Sequence, residues 1–158
     1  MSDFHHEAMH QAIACARAGV ASDRGGPFGA VVVKDGKIVA SGENQVTSTN
    51  DPTAHAEVVA IRRACALLGR FDLSDCVVYT SCEPCPMCLG ALYWAGIRTV
   101  YYGCTRDDAA AIGFSDAHIY DEIPKALDER QIRFIPLARE QALEAFAEWL
   151  AKADRIAY

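Results

Sequence analysis

At 158 residues the chain is long enough for one domain with its own core, and residues 1–158 are predicted to form a single domain. A net charge of −6, with no basic cluster longer than Arg62-Arg63, excludes a nucleic-acid groove built on clustered Lys and Arg and favours a small neutral substrate. No basic leader with an apolar run opens the chain and no window nears a membrane span. The expected compartment is therefore the reducing cytosol, where the seven cysteines serve as thiols or ligands rather than disulfides.

From Asp3 to Gly19, Ala8, Met9, Ala12, Ile13 and Ala16 recur at helical spacing, which predicts a helix with Gly19 at its C-cap. His6 and His10, four apart, read as its solvated face rather than as ligands. Gly25-Gly26-Pro27 then breaks the pattern. Ala30–Val33 is an apolar, β-branched strand, Asp35-Gly36 a hairpin turn, and Lys37–Ala40 the returning strand. Glu43–Asp51 is polar and loop-like.

A second helix is predicted to start at Asp51-Pro52, with Asp51 as N-cap and Pro52 in the first helical position. Ala54, Val58, Ile61, Cys65 and Leu68 form its apolar seam, which puts His55 in the first turn. The wholly apolar Val77–Thr80 reads as a central strand covered on both faces. A turn at Ser81–Pro84, a helix over Cys85–Ala95 and a strand over Thr99–Gly103 imply parallel pairing after the hairpin. Further on, Ser115–Ile123 is a short helix stopped by Pro124, and Ile132–Pro136 reads as a last strand. Arg139–Lys152 is an amphipathic helix carrying Leu143, Phe146, Ala147 and Leu150. No repeat or linker interrupts the chain.

Two short motifs concentrate the chemistry: His55-Ala56-Glu57, and Pro84-Cys85-Pro86-Met87-Cys88. Zinc favours thiolate and imidazole ligands in a tetrahedron. Cys85 and Cys88, three apart at a helix start, share one side, where the helix N-terminus favours thiolate. With His55 they make three ligands and leave a fourth position for water, whose pKa zinc lowers to about 7. Glu57 lies beside His55 in sequence and is free to move protons. This H-x-E…P-C-x-x-C pattern is the signature of zinc-dependent nucleobase deaminases.

Other readings of the same residues exist. Cys82 with Cys85, Cys88 and His55 would make a closed structural site, but that leaves Glu57 without a role, and Cys82 is expected to point elsewhere. Cys15, Cys65, Cys76 and Cys104 read as small buried hydrophobes. A redox pair at Cys85 and Cys88 would not explain His-Ala-Glu.

At this level of detail the chain resembles the cytidine deaminase-like superfamily and, more narrowly, the small bacterial guanine deaminases. The resemblance is carried by GGPFGAVVVKDG, NDPTAHAEVVAIRRAC, YTSCEPCPMCLGALYWA, DAAAIGFSDAHIYDEI and the terminal Tyr158. It implies an α/β fold, a three-layer α/β/α sandwich around a five-stranded mixed sheet. It implies one Zn2+ per chain on His55, Cys85 and Cys88, with Glu57 shuttling protons. Asn44 and backbone amides, that of Ala56 among them, would orient a purine. Phe28 would stack on the base, and Asp116 would assist binding and proton transfer. In a homodimer the C-terminal helix, about 139–158, would swap onto the neighbour, and Tyr158 would close the neighbour's site.

The implied reaction is hydrolysis of guanine to xanthine and ammonia, in purine catabolism or salvage. Guanosine, ammeline and cytosine are alternative substrates. RNA adenosine deaminases share the zinc core but need a basic surface for folded RNA. A zinc-stabilised interaction domain is the non-enzymatic alternative. The residues themselves keep plainer readings open: a turn for Asn44, core packing for Phe28, a helix cap for Asp116 and a frayed tail for Tyr158.

Overall fold

Alanines at every fourth position set how closely the helices approach the sheet. The computed structural model describes residues 3–158, and the chain divides into two units, Met1–Ala117 and His118–Tyr158. In the first unit, helix α1 (Asp3–Ala21) buries Ala8, Ala12 and Ala16, and helix α3 (Ala56–Leu68) buries Ala56, Ala60 and Ala64. Between them lies a mixed four-stranded sheet in the order β2-β1-β3-β4. Its strands are β1 (Gly29–Lys34), β2 (Lys37–Glu43), β3 (Cys76–Cys82) and β4 (Val100–Cys104). β1 is antiparallel to both β2 and β3, and β3 runs parallel to β4.

Strand alternation sorts the two layers. Val31, Val33 and Tyr79 pack with Ala8 and Ala12 of α1 on one face. Ala30, Val32, Ala40 and Val78 pack on the other face with the alanines of α3 and with Leu92 of helix α4 (Pro86–Trp94). The first unit is thus an α/β/α sandwich. Asp35 and Gly36, both at positive φ, make the hairpin turn. A bulge between Val32 and Val33 shifts the β1–β2 register. Beyond it, Gly42 lets α3 lie against β2, because a Cβ there would meet the Ala56 carbonyl oxygen at 2.5 Å and the Ala60 nitrogen at 2.7 Å.

Several boundaries differ from the sequence reading. α1 runs past Gly19, which is buried against Glu43 instead of capping the helix. The polar stretch after β2 contains a short helix, α2 (Val46–Thr49). α3 starts four residues after Pro52, because the Asp51 carboxylate caps the local turn at Thr53, accepting its N–H at 2.8 Å and its hydroxyl at 2.7 Å. His55 is therefore the N-cap of α3 rather than a first-turn residue. The deepest seam of α3 is the alanine stripe, flanked by Ile61, Cys65 and Leu68. Helix α5 (Arg106–Ala111) follows β4 and opens with a capping box between Thr105 and Asp108.

Among the described residues the sheet has four strands, not five. Ile132–Pro136, expected as the last strand, is irregular. A strand exists only against a partner's free N–H and C=O groups, and the second unit contains no strand. What orders its loop is side-chain bonding: Arg130 donates to the carbonyls of Ile123 and Lys125 and lies over the Phe134 ring. Its helices are α6 (Ala117–Glu122), which starts at the unit boundary, and α7 (Arg139–Ala151).

Candidate metal centre and active site

Two helices begin at one point in the first unit. His55 is the N-cap of α3 and Cys85 the N-cap of α4, both with extended backbone angles. Their carbonyls already accept the first helical hydrogen bonds, from Val59 and Leu89. Neither side chain caps its own helix. Pro86 in the first turn of α4 forgoes an N–H that would have no helical partner. One turn on, Cys88 is fully buried on the same side.

His55 Nδ1 lies 3.5 Å from Cys85 Sγ and 3.6 Å from Cys88 Sγ. One ligand atom from each residue falls within 4.8 Å of the others. With Zn–S bonds of about 2.3 Å and a Zn–N bond of about 2.1 Å, a tetrahedral ion sets sulfur and nitrogen about 3.6 Å apart. The three donors therefore match a zinc tetrahedron in type and in spacing. Three protein donors leave the fourth corner open.

Cys82 stays outside the cluster, as expected. Its buried thiol donates to the Thr105 carbonyl at 3.5 Å, and burial pushes it up to about 11. The cluster thiols are polarised differently. The hydrogen bond from Cys88, reinforced by His55, pulls Cys85 down to about 4. That same bond with Cys85, together with burial, raises Cys88. The Cys85 contact also raises the His55 imidazole.

Glu57, in the first turn of α3, is only 6% exposed. It is not one of the three donors. Thr80 of β3 donates to Glu57 Oε1 at 3.3 Å, and the Cys88 sulfur lies 3.4 Å from Glu57 Oε2. Burial raises its pKa. A carboxyl held beside the three donors, outside their set, is placed to take and to give a proton. Ala56, between it and His55, is fully buried, and its amide is among the first-turn N–H groups that no helical carbonyl reaches.

Asn44, the residue after β2, is 5% exposed. Its Oδ1 accepts from the backbone N–H groups of Gly26 and Val46, each at 3.2 Å. Two donors facing one atom fix it as the oxygen. Only the NH2 half remains for a ligand. Phe28 packs partly into the core and meets Phe114 edge-to-face at 5.0 Å, so its ring belongs to the core and to an aromatic corner at once.

The family model for the cytidine and deoxycytidylate deaminase zinc-binding region matches residues 2–104. The chain belongs to this family. It is 51% identical over 154 residues to the guanine deaminase of Bacillus subtilis, covering 98% of this chain and 99% of that protein. The X-ray structure of the Bacillus subtilis guanine deaminase superposes with a TM-score of 0.95 over 100% of this chain and 99% of that one. A tRNA-specific adenosine deaminase of Aquifex aeolicus is 36% identical over 80% of this chain and 81% of its own length. A structure solved in complex with 2,6-diaminopurine is 40% identical, with a TM-score of 0.66 over 69% of this chain and 61% of that one.

Within this deaminase-family site the remaining sequence candidates fall as follows. Asp116, partly buried just before α6, is close enough for its charge to contribute to raising His55. Tyr158 ends the second unit and is 83% exposed. Three residues at the site have no counterpart in the sequence reading. Thr80 holds Glu57, and the alternation of β3 with Val78 is the signal that could have found it. Phe114 backs Phe28. Gly25 leaves room for Asn44, since a Cβ there would come within 2.2 Å of Asn44 Oδ1.

Proposed function

We propose that this protein is a zinc-dependent aminohydrolase that converts guanine and water to xanthine and ammonia. The observation that carries the reading is a buried carboxyl, Glu57, beside three donors with zinc spacing but outside the donor set. A zinc ion on His55, Cys85 and Cys88, one per chain, would supply Lewis acidity and an activated water at neutral pH. The match to the Bacillus subtilis guanine deaminase over nearly the full length of both chains supports the substrate.

The chain's own residues account for the proton traffic. Glu57 takes a proton from the attacking water as the new C–O bond forms at C2 of guanine. It delivers that proton to N3, then carries the proton of the new C2 hydroxyl to the departing amine as the C2 carbonyl forms. The C2–N bond then breaks, and the nitrogen leaves as ammonia. Thr80 holds one carboxyl oxygen of Glu57 through this cycle. The Asn44 NH2 offers two donors, which suit the paired acceptors O6 and N7 of guanine. Adenine shows an acceptor beside a donor on the same edge. Phe28 flanks the base, the Ala56 amide helps orient it, and Asp116 supports it and assists proton transfer.

The active form in this reading is a homodimer. The second unit exposes Ile132, Ile135, Leu137, Phe146, Leu150 and Ile156, an apolar surface that a partner subunit would cover. Exchange of about 139–158 between subunits would bring Tyr158 over the neighbour's site as a lid. No helix among the described residues is long and apolar enough to cross a membrane, and all seven cysteines are free thiols. Both facts suit a role in cytosolic purine catabolism or salvage.

Ammonia release from a panel of free bases, nucleosides and tRNA tests the assignment. Guanine is expected to be the preferred substrate, and salt-sensitive turnover of tRNA with none of free guanine would overturn it. Light scattering tests the dimer. Removal of Tyr158 tests the lid, which predicts impaired guanine turnover.

A further inference from the structure

We propose that Glu43 is a positioning residue that fixes the orientation of the Asn44 carboxamide and so sets the affinity of the site for its base. The inference rests on the reading that Asn44 contacts the substrate. Glu43 is the last residue of β2 and is 8% exposed. Its Oε1 accepts from Arg24 Nη1 at 2.5 Å and from Gln45 Nε2 at 2.8 Å. Its Oε2 accepts from Arg63 Nη1 at 3.3 Å, and that guanidinium also donates to the Ser41 carbonyl at 2.8 Å.

These partners lie in the two segments that grip Asn44. Arg24 precedes Gly25-Gly26, and the Gly26 N–H holds Asn44 Oδ1. Gln45 precedes Val46, and the Val46 N–H holds the same oxygen. One carboxylate therefore draws together the loop before β1 and the start of α2, and the carboxamide is oriented where they meet. The Arg24 carbonyl strengthens the junction by accepting from the Ser48 N–H at 3.1 Å and the Thr47 hydroxyl at 3.0 Å. Arg63 ties the assembly to α3, the helix that carries Glu57.

Negative charge is what the junction needs. Burial alone would raise Glu43, but hydrogen bonds from Gln45 and Arg24 and the charge of Arg63 carry it below the ordinary carboxylate range. A glutamine of the same shape would turn an NH2 toward at least one of these donors. The two segments would then spread, and Asn44 would lose its fixed oxygen. Small displacements of a positioning group are costly in a site that works by orientation.

Steady-state kinetics on guanine with zinc-loaded Glu43→Gln, Asn44→Ala and the double variant tests the inference. Glu43→Gln should raise KM about tenfold while kcat falls less than about threefold and zinc content is unchanged. The double variant should be no worse than Asn44→Ala alone, because Glu43 acts through Asn44. Additive losses would overturn the inference, as would a normal KM in Glu43→Gln where Asn44→Ala raises KM. An Asn44→Ala enzyme with unchanged KM would overturn the Asn44 reading itself. Should Glu43→Gln fail to fold, Arg24→Met, which removes a half-exposed arm of the same junction, decides by the same comparisons.

Discussion

His55 and Cys85 hold equivalent positions on two different helices, each the N-cap of its own, with Nδ1 and Sγ 3.5 Å apart. Both helix N-termini thus direct unpaired N–H groups and positive dipole ends at one small volume. That field favours thiolate over thiol, in the same direction as the hydrogen bonds from Cys88 and His55 that lower Cys85. A divalent cation bound there would meet the charge of Cys85 already in place, on a residue at the start of a helix.

Glu57→Gln should keep its metal and lose turnover by about 10²-fold or more, the usual contribution of a positioned general acid–base. The amide fits the same space and can still accept from Thr80. Metal content by atomic absorption and ammonia release are the two readouts. Near-normal turnover would remove Glu57 from the reaction.

Replacing Cys82 separates the open metal site from a closed one. Cys82→Ser should retain both zinc and activity, because its sulfur bonds the Thr105 carbonyl and lies outside the donor cluster. Cys88→Ser should lose the metal. Loss of zinc from the Cys82 variant would mean a third sulfur as the fourth ligand and no room for water.

On the opposite face of the sheet, the Tyr79 hydroxyl is hydrogen-bonded to His5 Nδ1 at 2.6 Å, and its ring stacks on Tyr101 at 4.8 Å. Tyr79 is 2% exposed. Tyr79→Phe should lower stability by about 1 kcal/mol through the lost bond and leave kcat unchanged. Urea denaturation beside an activity assay checks both halves. A kinetic defect without a stability loss would link this face to catalysis.

At the far end of the sheet, hydrogen bonds from Arg70 and then Lys34 hold the Asp75 carboxyl down to about 2. A depressed carboxyl stabilises the fold above its unfolded pKa and loses that contribution as pH falls through the folded value. The stability gap between wild type and Asp75→Asn should therefore be constant above about pH 5 and close as pH falls from about 4 to 2. A gap that persists unchanged at pH 2 would mean the ion pairs do not carry it.

The candidate metal-binding cluster was legible in the sequence because its determinants are local. His55 and Glu57 are two apart, Cys85 and Cys88 three apart, and each pair starts a helix. The hairpin, both flanking layers and the outer helices follow from alternation and helical spacing. Misreadings arose where a local cue was used for something else. Asp51-Pro52 looks like a helix start, yet Asp51 spends its carboxylate on Thr53. The available half of Asn44 depends on Gly26, eighteen residues away, and no local pattern encodes that. Ile132–Pro136 has the composition of a strand, but pairing needs an edge that composition does not supply.

The two sides of β3 bear unrelated duties. Val78 and Thr80 look toward α3, where Thr80 holds Glu57, while Val77 and Tyr79 look toward α1, where Tyr79 meets His5. A single-residue insertion or deletion inside Cys76–Cys82 would turn both sides over together, thrusting a phenol toward Glu57 and a small hydroxyl into the opposite layer. Length variation is accordingly barred from this strand, whatever is inserted, and must be absorbed at the exposed turn that precedes it.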